Sequence, residues 1–136
     1  MINLTTAIFG KCAAGTSLYT DIGGRMYKGE APQRATFPYV VFFVVSDVPE
    51  YPSSHTIEEV LVQFSIYSIT SSSTEIEDAL TDLRTLYDNC SLSITSNTLI
   101  HFTRGNLTCM RDEVETTSGT KGVWHYAQEY FLRMVA

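Results

Sequence analysis

The sequence lacks any apolar run approaching the ~20 residues that a membrane-spanning helix needs, although 44% of its 136 residues are hydrophobic. It is poor in cysteine: Cys12, Cys90 and Cys109 are odd in number and lie far apart. That spacing excludes the close pairs of a zinc site and a paired disulfide framework, and it predicts three reduced thiols in a product made in the cytoplasm. There is no Gly-x-Ser-x-Gly elbow, no phosphate-cradling glycine loop and no dinucleotide fingerprint, and Gly23 and Gly24 precede a strand where such motifs precede a helix. The histidines, His55, His101 and His125, show no metal-binding spacing on a helix. Glu58–Glu59 and Asp112–Glu113 are neighbours on strands, so their carboxyls point to opposite faces and cannot share a proton. If the last hairpin turns near Thr117 and Ser118, His125 lies opposite Met110 and beside Cys109. A Cys–His pair there would need an orienting third group, and Cys109 reads as a small strand residue. The pattern argues for no enzyme, cofactor or metal.

Basic charge is also scarce. The net charge is −6, and the acidic excess lies in residues 46–90, where nine acids accompany one base. No basic stripe exists to neutralise phosphates, which excludes specific nucleic-acid binding. The acidic block is a solvated face or has a use of its own.

What is present is enough chain for one domain, residues 1–136, with a single core. "MINLTTAIFGKCAAG" lacks a charged leader and places Lys11 inside its apolar segment, so it reads as an amphipathic helix, not a signal peptide. Leu4, Ile8 and Cys12 make its stripe, Asn3 or Thr5 its cap and Gly15 its stop, with a short second turn around Leu18 and Ile22. "RMYKG" is a short strand. From Tyr39 to Asp47 both alternating sets are apolar, as in a strand covered on both sides. From Glu58 the pattern becomes strict alternation, Val60, Val62, Phe64 and Ile66 inward. Between Thr74 and Cys90, Ile76, Ala79, Leu80, Leu83, Leu86, Tyr87 and Cys90 form one helical stripe, with capping-box spacing at Thr74/Glu77 and at Ser72/Glu75. Strands at about Thr98–Arg111 and Lys121–Met134 make a long hairpin around the polar loop 112–120.

The order helix, strand, strand, strand, helix, strand, strand predicts an α+β domain: a mainly antiparallel sheet of about five strands with two helices on one face. The last strand carries Trp124, Tyr126, Tyr130, Leu132 and Met134 on one face, and Val123, Ala127, Phe131 and Val135 on the other. Helices cover one face of so small a sheet, so the other meets a neighbouring subunit or is covered by the sheet's own curl. The loops "SDVPEYPSSHT" (46–56) and 112–120 read either as partner-meeting surfaces, with Tyr51, Pro52, His55, Glu113 and Glu115 as contact groups, or as passive hairpin connections.

The segment "DIGGRMYKGEAPQRATFPYVVF", followed by "EEVLVQFSIYS", the helix "IEDALTDLRTLYDN" and a closing hairpin, resembles the tail-completion, or tail terminator, family of long-tailed bacteriophages and prophages. Gly24–Arg25–Met26–Tyr27, Ala31–Pro32 and Phe37–Pro38–Tyr39–Val40–Val41 carry the likeness. The resemblance implies a non-enzymatic virion subunit that forms a ring of copies of itself, usually a hexamer, on the head-proximal end of the tail tube. Its implied partners are the tail tube protein and the head completion or connector protein, with DNA passing through unbound and no membrane involved. It makes Phe37 and Pro38 candidate interface residues, and Asp78, Asp82 and Asp88 candidate lumen-facing acids whose charge repels phosphate. Another connector or minor tail subunit, or a small-ligand-binding regulatory α+β domain, are the alternatives.

Overall fold

The computed structural model describes residues 1–52, 54–116 and 119–136, without the side chains of 114–116 and 120. Its elements are α1 (Ile2–Lys11), α2 (Ser17–Ile22), β1 (Met26–Lys28), β2 (Tyr39–Glu50), β3 (Ile57–Ser68), α3 (Thr74–Tyr87), β4 (Ser93–Ile94), β5 (Asn97–Thr116) and β6 (Gly119–Val135). The strands form one curled sheet in the order β1-β2-β3-β6-β5-β4, antiparallel except for the parallel pair β1–β2. The α+β architecture follows the expectation. The short turn after α1 is a full helix, and the two-residue β4 adds a sixth strand.

Helix α3 forms because its apolar residues recur at helical spacing: Ile76, Ala79, Leu80, Leu83 and Tyr87 are all buried, while Glu75 and Glu77 sit favourably in the first turn. Neither expected capping box forms. The Thr74 amide donates to Ser72 Oγ at 3.2 Å, and Glu75 accepts a bond from Ser68 Oγ at 3.0 Å, so it ties the helix to the end of β3 instead. Helix α1 begins at Ile2, before either residue expected to cap it, and ends at Lys11, short of Gly15. Thr5 is buried within it and satisfies its hydroxyl on the Ile2 carbonyl at 3.1 Å. Thr16 caps α2, whose end is set by Gly23 in the left-handed region at φ 59.

The three helices cover one face of the sheet. There Val40, Phe42, Val60, Val62, Phe64, Ile66, Tyr130, Leu132 and Met134 are buried, and full burial of each large apolar side chain stabilises by roughly 1.5–3 kcal/mol. Phe64 lies between Tyr87 of α3 at 4.6 Å and Phe42 at 5.9 Å, and Phe102 packs on Tyr130 at 5.1 Å. The buried Tyr87 hydroxyl donates to the Ile8 carbonyl at 2.7 Å, which fastens α3 to α1.

The opposite face answers the question of what covers it in two parts. On one part of it Val41, Ser65, Val123 and Ala127 are buried. Farther along, Phe43, Val48 and Phe131 are exposed, Val48 by 56% and Phe131 by 48%. One part of that face is buried and the other open.

Both stretches expected as long loops are largely strand. β2 runs on through Pro49 to Glu50, paired with Ile57, and β5 continues to Thr116, opposite Gly119. Pro49 is tolerated because β1 pairs only with residues 40–42 of β2, so the missing amide of Pro49 falls on an open edge.

Candidate assembly surfaces

Pairing register fixes where the candidate residues stand. The connection 51–56 lies at the end of the sheet where β6 finishes, and the Ala136 amide donates to the Thr56 carbonyl at 3.1 Å. Tyr51, Pro52 and His55 are exposed there, Tyr51 by 75%. Arg133 binds Glu50 at 3.0 Å and Glu59 at 3.3 Å beside them. Glu113 stands at the opposite end, where β5 and β6 run past the last β3–β6 pair, Ser68–Trp124, as a two-stranded arm. Asp112 and Glu113 are exposed on it; the side chain of Glu115 and the turn residues 117–118 lie outside the described residues. The structure therefore does not bring the two candidate loops together. It sets them at opposite ends of one sheet.

Phe37 and Pro38 sit at the arm's end of the sheet, half-buried and joined by a cis peptide. Arg25 holds both: its guanidinium donates to the Pro38 carbonyl at 3.0 Å and the Phe37 carbonyl at 3.3 Å, while its own carbonyl accepts from the Val40 amide at 3.0 Å. Gly23 and Gly24, at φ 59 and 74, make the turn that aims Arg25 there. Gly24, Arg25, Phe37, Pro38 and Val40, among the residues that carry the resemblance, thus form one joint. Behind it an aromatic ladder crosses the sheet: Phe37 on Tyr39 at 5.1 Å, Tyr39 on Tyr67 at 5.0 Å, and Tyr67 on His125 at 4.3 Å. Burial pushes the His125 imidazole below the ordinary histidine range against the opposing pull of Asp112, and Nε2 has no described partner.

His125 does lie opposite Met110, and Cys109 pairs with Tyr126. Because paired strand residues share a face and successive ones alternate, Cys109 and His125 are on opposite faces, and no Cys–His pair forms. Among the described residues no three His, Cys, Asp or Glu groups gather to hold a metal, and no helix is long and apolar enough to cross a membrane.

The three acids of the α3 region differ from one another. Asp78 is exposed. Asp88 accepts the Tyr130 hydroxyl at 2.7 Å and the Arg104 guanidinium at 2.9 Å, so it is bound into the sheet. Asp82 neighbours Asp21 of α2, whose Oδ2 is buried with no described partner. Burial first, then the neighbouring Asp82 and the charge of Asp78, push the Asp21 carboxyl up to about 7. Asp21 and Arg25 are not distinguishable in composition from other surface charges. Gln128 left a signal: it is the polar member of an otherwise apolar set, Tyr126, Tyr130, Leu132. It is fully buried, accepts from Arg84 at 2.8 and 3.1 Å, and donates to the Gly105 and Asn106 carbonyls, each at 3.2 Å, where β5 bulges.

The family model of tail completion protein gp17 matches residues 6–121. The chain belongs to this family. A chain of the virion of a native gene transfer agent particle superposes with a TM-score of 0.79, at 11% identity, over 98% of this chain and 95% of its own. A second solved chain, 12% identical, reaches 0.55 over 96% and 94%; at these identities the likeness is one of fold. No curated protein sequence matches the chain. As a tail completion protein, it is a structural component of the phage virion and its place is the tail.

Proposed function

We propose that this tail completion protein is a tail terminator: copies of it, six in the ring usual for the family, close the head-proximal end of the tail tube. The ring stops tube polymerisation and presents the surface that joins tail to head. The observation that carries this reading is the separation of the two candidate docking ends by the length of one sheet, 51–56 at one and the β5–β6 arm at the other. A subunit held between a tube ring and a connector ring needs two such unlike ends. One receives the tail tube protein and the other the head completion protein; Tyr51, Pro52 and His55 serve one contact, Glu113 and Glu115 the other, and Phe37 and Pro38 the lateral contact.

The acidic surface of α3 belongs to the same proposal. DNA must pass the bore without being held, and carboxylates repel phosphates. Asp78 is the best placed of the three, since Asp88 is engaged by Arg104 and Tyr130. Replacing Asp78, Asp82 and Asp88 by Asn slows DNA ejection if they face the bore and leaves it unchanged if they face outward.

The test is polymerisation of purified tail tube protein with and without this chain. Tubes that stop short, each with this chain at one end, support the reading. Tubes of unchanged length and bare ends overturn it.

A further inference from the structure

The ring proposed above leaves open which surfaces of neighbouring copies meet, and the two edges of the sheet answer that. β1 ends the sheet on one side, and beyond Thr98 no strand covers β5 on the other among the described residues. An uncovered edge is a row of unpaired amides and carbonyls, a template for another strand. Pairing places the two edges at one height: Met26 pairs with Val40, Val40 with Ile66, Ile66 with Tyr126 and Tyr126 with Cys109. A second row runs from Lys28 through Phe42, Phe64 and Gln128 to Leu107. Strand direction reverses between β1 and β5. Rotation about an axis along the strands therefore brings β5 of one copy antiparallel against β1 of the next with no shift along that axis.

We infer that neighbouring copies join by this contact, the β5 edge from Leu107 to Cys109 against the β1 edge from Met26 to Lys28. Shape agrees with it. Beside β1 an apolar groove of about 350 Å³ is lined by Met1, Ile2, Phe43 and Val44. Its Phe43 and Val44 lie in the rows of Gln63–Glu129 and Val62–Tyr130, which lead to the β5 bulge between Arg104 and Leu107. The bulge of one copy therefore arrives at the groove of the next. The contact is head-to-tail, so it makes a ring when the rotation closes, and strands along the ring axis leave the two docking ends pointing up and down it. The inference rests on the ring reading.

Disulfide trapping tests it, because this register sets Lys28 of one copy opposite Leu107 of the next, and facing residues of antiparallel strands lie within disulfide reach. Lys28→Cys and Leu107→Cys are combined in a Cys109→Ser chain, and circular dichroism melting checks that the variants fold. Assembly is followed by native mass spectrometry of the chain alone and by electron microscopy on tails purified without it, and oxidised samples are run on non-reducing denaturing gels. The double variant gives a covalent ladder up to the size of the ring, while either single variant, and the off-register pair Lys28→Cys with Thr103→Cys, give none. A ring that forms without this cross-link, or that cross-links equally off register, overturns the β1–β5 contact and leaves the ring standing. A wild-type chain that forms no ring, alone or on tails, overturns the ring reading and this contact with it.

Discussion

Replacing Gln128 by Leu keeps the side chain's size and removes its hydrogen bonds, and the structure says how much that costs. Gln128 is fully buried and works in two directions: its carbonyl receives two bonds from Arg84 of α3, and its amide serves the carbonyls of Gly105 and Asn106 in the β5 bulge and that of Glu129. A buried group left without a partner costs roughly 1–3 kcal/mol, and bonds to a charged group stand at the upper end. The Arg84 head is half-buried and regains part of its loss from water, so the estimate is about 3–5 kcal/mol in total. Unfolding entropy of about 2.1 cal/mol/K per residue makes roughly 0.29 kcal/mol/K for a chain of this length, so the melting temperature falls by about 10–17 °C. Urea titration followed by far-UV circular dichroism measures the loss directly. A loss under about 1 kcal/mol refutes the reasoning, because the bulge would then not depend on Gln128.

Three further outcomes follow from other parts of the molecule. Asp21 titrates at about 7 in the folded chain against about 4 unfolded, so the folded state holds the extra proton; that stability is complete below about pH 4 and is lost as pH rises through about 7. Asp21→Asn should therefore flatten the pH dependence and gain on the order of 1–2 kcal/mol at pH 8, after discounting for the carboxyl's partial exposure, which urea titrations at pH 5 and pH 8 compare; an unchanged difference between the two would contradict the raised Asp21 carboxyl. Tyr87→Phe removes the buried bond to the Ile8 carbonyl and should cost about 1–2 kcal/mol by leaving that carbonyl unpaired, with hydrogen exchange of α1 amides faster than in wild type. Gly24→Ala meets the Tyr19 ring at 2.8 Å in a backbone at φ 74, so a loss of about 1–3 kcal/mol is expected; a melting temperature equal to wild type would show that the turn does not need glycine.

Much of the fold was legible because burial repeats with the period of each element. The stripe of α3, the alternation in β3 and the register that sets His125 opposite Met110 all follow from spacing of 3.6 or 2. What was not legible depends on partners distant in sequence. The residues Val48–Glu50 and Asp112–Thr116 are mostly polar or contain Pro, and they are strand because a neighbouring strand holds them, not through any preference of their own. β4 is two residues long and carries no period. The joint built by Arg25 was visible only as a recurring motif, since nothing in a lone arginine announces that it binds the carbonyls of Phe37 and Pro38. The candidate contact residues were legible as exposed loop chemistry, and their separation to opposite ends of the sheet required the register of four strands.

The central claim, that this tail completion protein ends the tail, is tested most directly by electron microscopy of particles from a phage or prophage with its gene deleted. The account predicts filled heads beside unjoined tails of abnormal length, with both defects repaired by supplying the chain from a plasmid. Joined virions with tails of normal length would contradict it.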